Sequence, residues 1–285
     1  MQWKLFVFIF LFLPTYLLGQ NIELDSLYRV LAKEKIDTNR VNQMVDIAFE
    51  LRGSDPEKAL ALCNDAISLS KKIKYANGYS RGLGAIATIF NKLGNYPRAL
   101  EFTLQRLKLV EKTNDPDRYA AVLINIGVVY VYQEDYKMAL AYYYKADSVI
   151  EQYNLTEYKY NIALNMGDAY DKLNNNDSAY SYFNKSLIIA MQLKNNYFKA
   201  ASMIGLGHSY LKRDNYLLAM ANYKSGIVYT KEAGNDDLLC EATLGLASLF
   251  KKIKQYDSAF FYGIQSLHVA KKDGLFQENW KLLNF

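Results

Sequence analysis

Few residues in this chain have the types and spacing that chemistry needs. Gly82-Leu-Gly84-Ala-Ile-Ala87 has the spacing of a dinucleotide-binding loop, where glycines let the backbone approach a pyrophosphate at a strand-to-helix turn. No strand pattern precedes it, so the spacing predicts the interior of a helix. The chain has two histidines, His208 and His268, too few for a polyhistidine metal set or a Ser-His-Asp relay. The two cysteines, Cys63 and Cys240, lie far apart along the chain and read as free thiols. Asp168 and Asp171 pair two carboxylates on one helical face, without a sequence sign of a cleft that perturbs them. Asn125 and Asn165 offer a different chemistry. A side-chain amide donates to and accepts from one peptide unit at once, so an asparagine repeated on adjacent helices can track a bound backbone. The other reading is that each asparagine bridges its own helix to the next.

The composition removes several further classes. Of 285 residues, 51% are hydrophobic and 22% charged, with four prolines, which excludes a disordered or low-complexity chain. Two cysteines exclude a disulfide scaffold or a Cys-rich zinc module. The formal charge is +5, and Lys and Arg are interspersed with Asp and Glu, so no nucleic-acid footprint is expected. No cofactor and no enzyme activity are expected within these residues. The 25 tyrosines are the unusual figure.

Residues 1–19 have the form of an address. Lys4 precedes an unbroken apolar run from Leu5 to Leu13, and Gly19 closes the segment, the layout of a secretory signal peptide. The run ending at Leu18 is shorter than the roughly 20 residues of a bilayer span. Cleavage after Gly19 is the expectation, with an uncleaved anchor as the alternative because Leu17 is not small. The expected location is therefore exported, periplasmic or membrane-associated, and membrane contact is expected only through this segment or a part beyond residue 285.

The elements that position these residues repeat every 40 residues. Ile86-Ala87-Thr-Ile-Phe90 aligns with Ile126-Gly127-Val-Val-Tyr130, Met166-Gly167-Asp-Ala-Tyr170, Leu206-Gly207-His-Ser-Tyr210 and Leu246-Ala247-Ser-Leu-Phe250. Ala99, Ala139, Ala179, Ala219 and Ala259 follow in the same register, and Ile47-Ala48 with Ala59 begins a more divergent copy upstream. Leu123, Ile126, Gly127 and Tyr130 share one helical face, and Gln133-Glu134-Asp135 separates them from a second helix near Tyr136. Asn154, Asn195-Asn196 and Gly234-Asn235 fall between copies, where such residues end helices. The recurrent glycines imply a close approach of the two helices that offsets their cost of up to about 1 kcal/mol against Ala.

These motifs resemble the tetratricopeptide repeat, with Leu206-Gly207-x2-Tyr210, Ala219-x3-Tyr223 and Ala179-x3-Phe183 as the best matches. The usual Trp is replaced by Leu83, Leu123, Ala163, Met203 and Thr243, the closing Pro is absent, and the second helix is longer. The resemblance implies an all-α, right-handed superhelical solenoid of antiparallel helix pairs. Residues 20–39 are expected to hold a capping helix, and 40–285 about six repeats with a seventh cut off at the C-terminus.

The resemblance also implies a protein or peptide partner, bound as an extended segment on the concave side. The matching positions are Asn125, Asn165, Asp168, Tyr132, Lys172, His208 and Arg81, with Asn91, Asp171 and Lys212 beside them. The lysine clamp for a terminal carboxylate is not matched, since Gly84, Ile124 and Leu164 stand in its places. Exported arrays of this kind resemble sensor regions of membrane-bound regulators that continue into a histidine kinase or helix-turn-helix output domain. A structural, self-associating scaffold is the rival expectation.

Overall fold

The computed structural model describes residues 37–272. The expected signal segment 1–19, most of the expected capping helix 20–39 and the residues expected to begin a seventh copy lie outside them. The described chain is twelve α-helices and one short 3-10 turn, and no described residue is in a strand. None of these helices is long and apolar enough to cross a membrane. The chain divides at Leu109/Val110 into two compact units.

The first unit holds α1 (Thr38–Leu51), α2 (Pro56–Lys72), α3 (Ala76–Lys92) and α4 (Tyr96–Val110), whose last residue opens the second unit. Val41, Val45, Ile47, Ala48 and Leu51 from α1 meet Ala59, Cys63 and Ala66 from α2 and Ala85, Ile86 and Ile89 from α3 in one core. Gly82 lies inside α3, and a Cβ there would sit 2.7 Å from Ile67 Cγ1. The apparent dinucleotide spacing therefore serves helix packing. Burial pushes the Cys63 thiol up to about 12, which leaves almost no thiolate near neutral pH. We expect Cys63 to resist iodoacetamide in the folded protein and to react once urea unfolds it, as read by peptide mass spectrometry.

The second unit runs through α5 (Pro116–Tyr132), α6 (Tyr136–Gln152), α7 (Lys159–Lys172), α8 (Asn176–Gln192), α9 (Asn196–Lys212), α10 (Tyr216–Ala233), α11 (Asp236–Lys252) and α12 (Tyr256–Lys272). Consecutive helices pack as pairs, and α7 and α11 also touch α9 between them. Each first helix ends in the same way. Glu134, Asn174, Asp214 and Lys254 adopt φ between 57° and 61°. The next amide then donates back to the carbonyl of Tyr130, Tyr170, Tyr210 or Phe250 at 2.9 Å, which satisfies a helix-end acceptor. Asp135, Asn175 and Asn215 then cap the second helix through their side chains.

The turns between copies differ from the expectation in one respect. Asn154 and Gly234 take the left-handed conformation, but between α8 and α9 it is Lys194 (φ 52°) that does so. Asn195 instead accepts from the Phe198 amide as the N-cap of α9. The register of the capping carboxamide decides this: its oxygen has to reach the third amide of the helix.

The glycines have the predicted cause. A Cβ on Gly127 would lie 2.2 Å from Tyr143 Cε1, on Gly167 2.7 Å from Phe183 Cδ1, and on Gly207 2.6 Å from Tyr223 Cε1. A second set was not foreseen. Gly205 also meets Phe183, and Gly245 also meets Tyr223, with Cβ distances of 2.5 and 2.4 Å. Each of these two rings is thus clasped by glycines of consecutive first helices. A further aromatic series stacks at the turn in three of the copies of this unit: Tyr130 on Tyr142, Tyr170 on Tyr182, and Phe250 on Tyr262, with centroids 5.5–5.6 Å apart. Tyr143, Tyr223, Tyr130, Tyr142, Tyr170, Tyr182 and Tyr262 are placed by these two packing roles.

Candidate functional site

The first helices of the second unit carry most of the residues singled out in the sequence. Asn125 on α5 and Asn165 on α7 hold the same repeat position on helices that touch. Asn125 is exposed and Asn165 half-buried. Neither amide is hydrogen-bonded to a described residue, so the bridging role weighed for them is not present there. In the following two copies that position is Gly205 and Gly245, pressed on the aromatic ring of the preceding copy.

Asp168 on α7 and His208 on α9 share the next repeat position, one turn further along. The His208 imidazole lies edge-on to the Tyr223 ring, 5.4 Å between centroids. Its Nδ1 is 3.9 Å from Glu241 Oε1 on α11. Burial outweighs the pull of Glu241 and Asp171 and holds His208 below the ordinary histidine value, with Lys172 and Lys212 adding to the decrease. His208 is therefore neutral at neutral pH.

Asp168 is crowded the other way. Desolvation by the surrounding helices, then the charges of Glu241 and Asp171, push its pKa up to about 8, against a smaller opposing pull from Lys172. The side chain keeps an exposed face, and water there offsets part of this penalty.

Lysines close the far ends of α7, α9 and α11. Lys212 donates to the Asp171 carbonyl at 2.6 Å and pairs with its carboxylate at 2.9 Å. Lys252 repeats the motif on the Leu211 carbonyl and on Asp214. Cations there complement the negative end of the preceding helix. Lys172 holds the same repeat position but makes no such contact among the described residues. Tyr132 occupies the lysine position on α5 and is about half exposed, at 52%. Asp171 Oδ1 and Tyr223 Oη are buried without a hydrogen-bond partner.

Arg81 belongs to the first unit. It donates to Asn42 Oδ1 at 2.7 Å and pairs with Asp46 Oδ1 at 2.6 Å, tying α3 to α1. The structure thus brings Asp168, His208 and Lys172 into one electrostatic cluster, with Asn165 one turn away on α7. Sequence reasoning missed Glu241 and Tyr223. Glu241 could have been found, since it holds in its copy the position that Arg81 holds in an earlier one. Among the described residues no group of three His, Cys, Asp or Glu could hold a metal ion.

The cluster has a measurable pH consequence. Where the pKa of Asp168 is raised, the folded state keeps a proton that the unfolded chain has released. Stability therefore falls as the pH climbs from the ordinary Asp range toward the folded-state value. The groups that act on Asp168 or feel its charge are Glu241 on α11, Asp171, Lys172 and Tyr160 on α7, and Tyr143 on α6. We expect Asp168→Asn to melt higher than the parent at about pH 9 and with it at about pH 4. A gain of equal size at both values contradicts this origin.

The comparisons with known proteins agree with this geometry. Residues 78–146 match one tetratricopeptide repeat model and residues 160–190 another. No curated protein matches the chain by sequence. Among solved structures, aspartyl phosphate phosphatase F from Bacillus subtilis aligns at 16% identity and TM-score 0.69, over 88% of this chain and 68% of that one. A signal transduction ATPase with numerous domains and a tetratricopeptide repeat sensor, from Pyrococcus horikoshii, aligns at 16% identity and TM-score 0.70. The match covers 92% of this chain but 42% of that one, so this chain spans less than half of that protein. A Rap protein complexed with competence and sporulation factor aligns at 16% identity and TM-score 0.67, over 90% and 72% of the two chains. At this identity the likeness is one of fold.

Proposed function

Because this chain carries tetratricopeptide repeats, we propose that it is a non-catalytic binding module that holds an extended protein or peptide segment along α5, α7, α9 and α11. The observation that carries this reading is the pair Asn125 and Asn165, whose amides are unengaged on neighbouring first helices. A bound backbone would supply the donors and acceptors these amides lack. A Rap protein of similar fold has been crystallised with competence and sporulation factor, which supports a ligand-holding use of such an array. Asn125→Ala combined with Asn165→Ala is expected to weaken capture of a partner from envelope extract by tenfold or more, at roughly 1 kcal/mol per lost hydrogen bond. The melting temperature should stay within about 2 °C, because neither side chain holds the fold. Unchanged capture by the double variant overturns the reading.

The chain is further proposed to be exported, on the strength of its first 19 residues, and to serve as the extracytoplasmic sensor region of a longer signalling regulator. N-terminal sequencing of protein from the envelope fraction should begin at Gln20. An intact Met1 in a soluble cytoplasmic fraction contradicts export. One observation favours the rival scaffold reading. The outer face of α12 exposes Phe260, Phe261 and Ile264 at 71%, 55% and 50%, and Tyr256, Ala259, Phe260, Gly263 and Ile264 line an apolar hollow there. If association through this face dominates, size-exclusion elution will move with concentration and Phe260→Glu will abolish the shift.

A further inference from the structure

The charged residues on α7, α9 and α11 are unevenly matched. Lys212 is held by Asp171. Asp168 has no hydrogen-bond or ion-pair partner among the described residues, and the contact of Glu241 is with His208 at 3.9 Å. Neither Asp168, which burial keeps protonated at neutral pH, nor Glu241 has a cationic hydrogen-bond partner. Lys172 sits at the exposed end of α7 without an ion pair among the described residues.

A separate observation points to the same place. Tyr223 is fully buried at 0% exposure, yet its hydroxyl has no hydrogen-bond partner. The charges that act on that hydroxyl are Glu241 and Asp171, and the ring lies against His208. Asp171 Oδ1 is also buried and unpartnered. A buried polar group left unpaired costs about 1–3 kcal/mol, so two in one cluster require a cause. The carboxylates of Glu241 and Asp171 only accept, Asp168 joins them once an approaching cation displaces its proton, and the phenol oxygen accepts as readily as it donates. What the cluster lacks is a group rich in N–H donors.

We propose that Asp168, Glu241, Asp171 and Tyr223, with neutral His208 between them, form the seat for a basic side chain of the bound segment, a lysine or an arginine. The three donors of an ammonium, or the five of a guanidinium, match an acceptor set spread over three helices. Asn125 and Asn165 hold the backbone of the segment, and its basic residue reaches from there across His208 toward Glu241. The proposal rests on the reading of these first helices as the ligand-holding face and adds the chemistry of one recognised residue.

A displayed library of short random peptides, selected on the full chain, tests both levels. Enriched peptides are expected to share a lysine or arginine. Replacing that residue by glutamine should weaken binding at least about tenfold, the loss for a charge-assisted contact. Asp168→Asn with Glu241→Gln should weaken the parent peptide by a similar factor and the glutamine peptide hardly at all, because the two changes remove the same interaction. Lys172→Gln should leave affinity equal or higher. These near-isosteric changes touch side chains with no strong partner, and circular dichroism should show the fold retained.

Enriched peptides without a basic residue, or peptides indifferent to the Asp168/Glu241 variant but lost on Asn125→Ala and Asn165→Ala, overturn the basic seat while the groove stands. Failure to enrich any peptide overturns both.

Discussion

Phe183→Ala is expected to lower the unfolding free energy of the second unit by about 3–5 kcal/mol, as read by urea titration with circular dichroism. The size follows from how the ring is held. Phe183 is 1% exposed, and its ring meets glycines of two consecutive first helices, where even a Cβ would approach to 2.5–2.7 Å. Two helix backbones line part of the space the ring fills, beside side chains such as Leu164, Leu187 and Leu206. Backbone cannot swing inward as a leucine would, so along that part the void left by alanine relaxes little, and the cavity adds to the lost transfer energy. Gly205→Val attacks the same joint from the other side. It needs the ring or α9 to move, at about 1–3 kcal/mol for overpacking. Combined with Phe183→Ala, the valine should cost much less than alone, because it then enters vacant space. Additive losses would show that the clasp is not what holds these repeats together.

That clasp marks the boundary of what the sequence discloses. Gly127, Gly167 and Gly207 declare themselves because they recur with the Tyr three residues on, and the ring they face lies in the same copy. Gly205 and Gly245 face a ring of the preceding copy, and in the two earlier copies their position holds Asn165 and Asn125, so no small-residue rule is visible there. The helix ends show the same division. Asparagine between copies was legible as a stop, but whether it bends left-handed or caps the next helix depends on a register of one residue, which propensity cannot separate at Lys194-Asn195.

The site was half legible for a related reason. Residues at one repeat position, such as Asp168 and His208, can be aligned along the sequence. Glu241 approaches His208 from a different repeat position, because neighbouring helices cross at an angle that the repeat period does not encode. Tyr223 read as core, and its ring is core. Only its unpartnered hydroxyl, a fact of three-dimensional accounting, sets it apart.

Tyr223→Phe isolates that hydroxyl, and two effects of opposite sign are expected. The exchange keeps the ring against Gly207 and Gly245 and removes one oxygen. In the free protein that oxygen is buried and unpaired, so its loss should raise stability by about 1–3 kcal/mol, seen as a higher urea midpoint and melting temperature. Burial and the nearby carboxylates also push the phenol pKa upward, so it stays protonated and no charge is lost with it. For a tyrosine whose hydroxyl is already satisfied, the same change costs stability, and a lowered midpoint would refute the orphan assignment. In the bound state the hydroxyl gains a donor from the basic side chain, so Tyr223→Phe should weaken the selected peptides severalfold while the protein melts higher. Stability and affinity moving in opposite directions separates a ligand-contacting residue from a packing residue, for which both fall together. A variant more stable and equally tight in binding keeps the orphan hydroxyl but removes Tyr223 from the seat, leaving the carboxylates to hold the ligand alone.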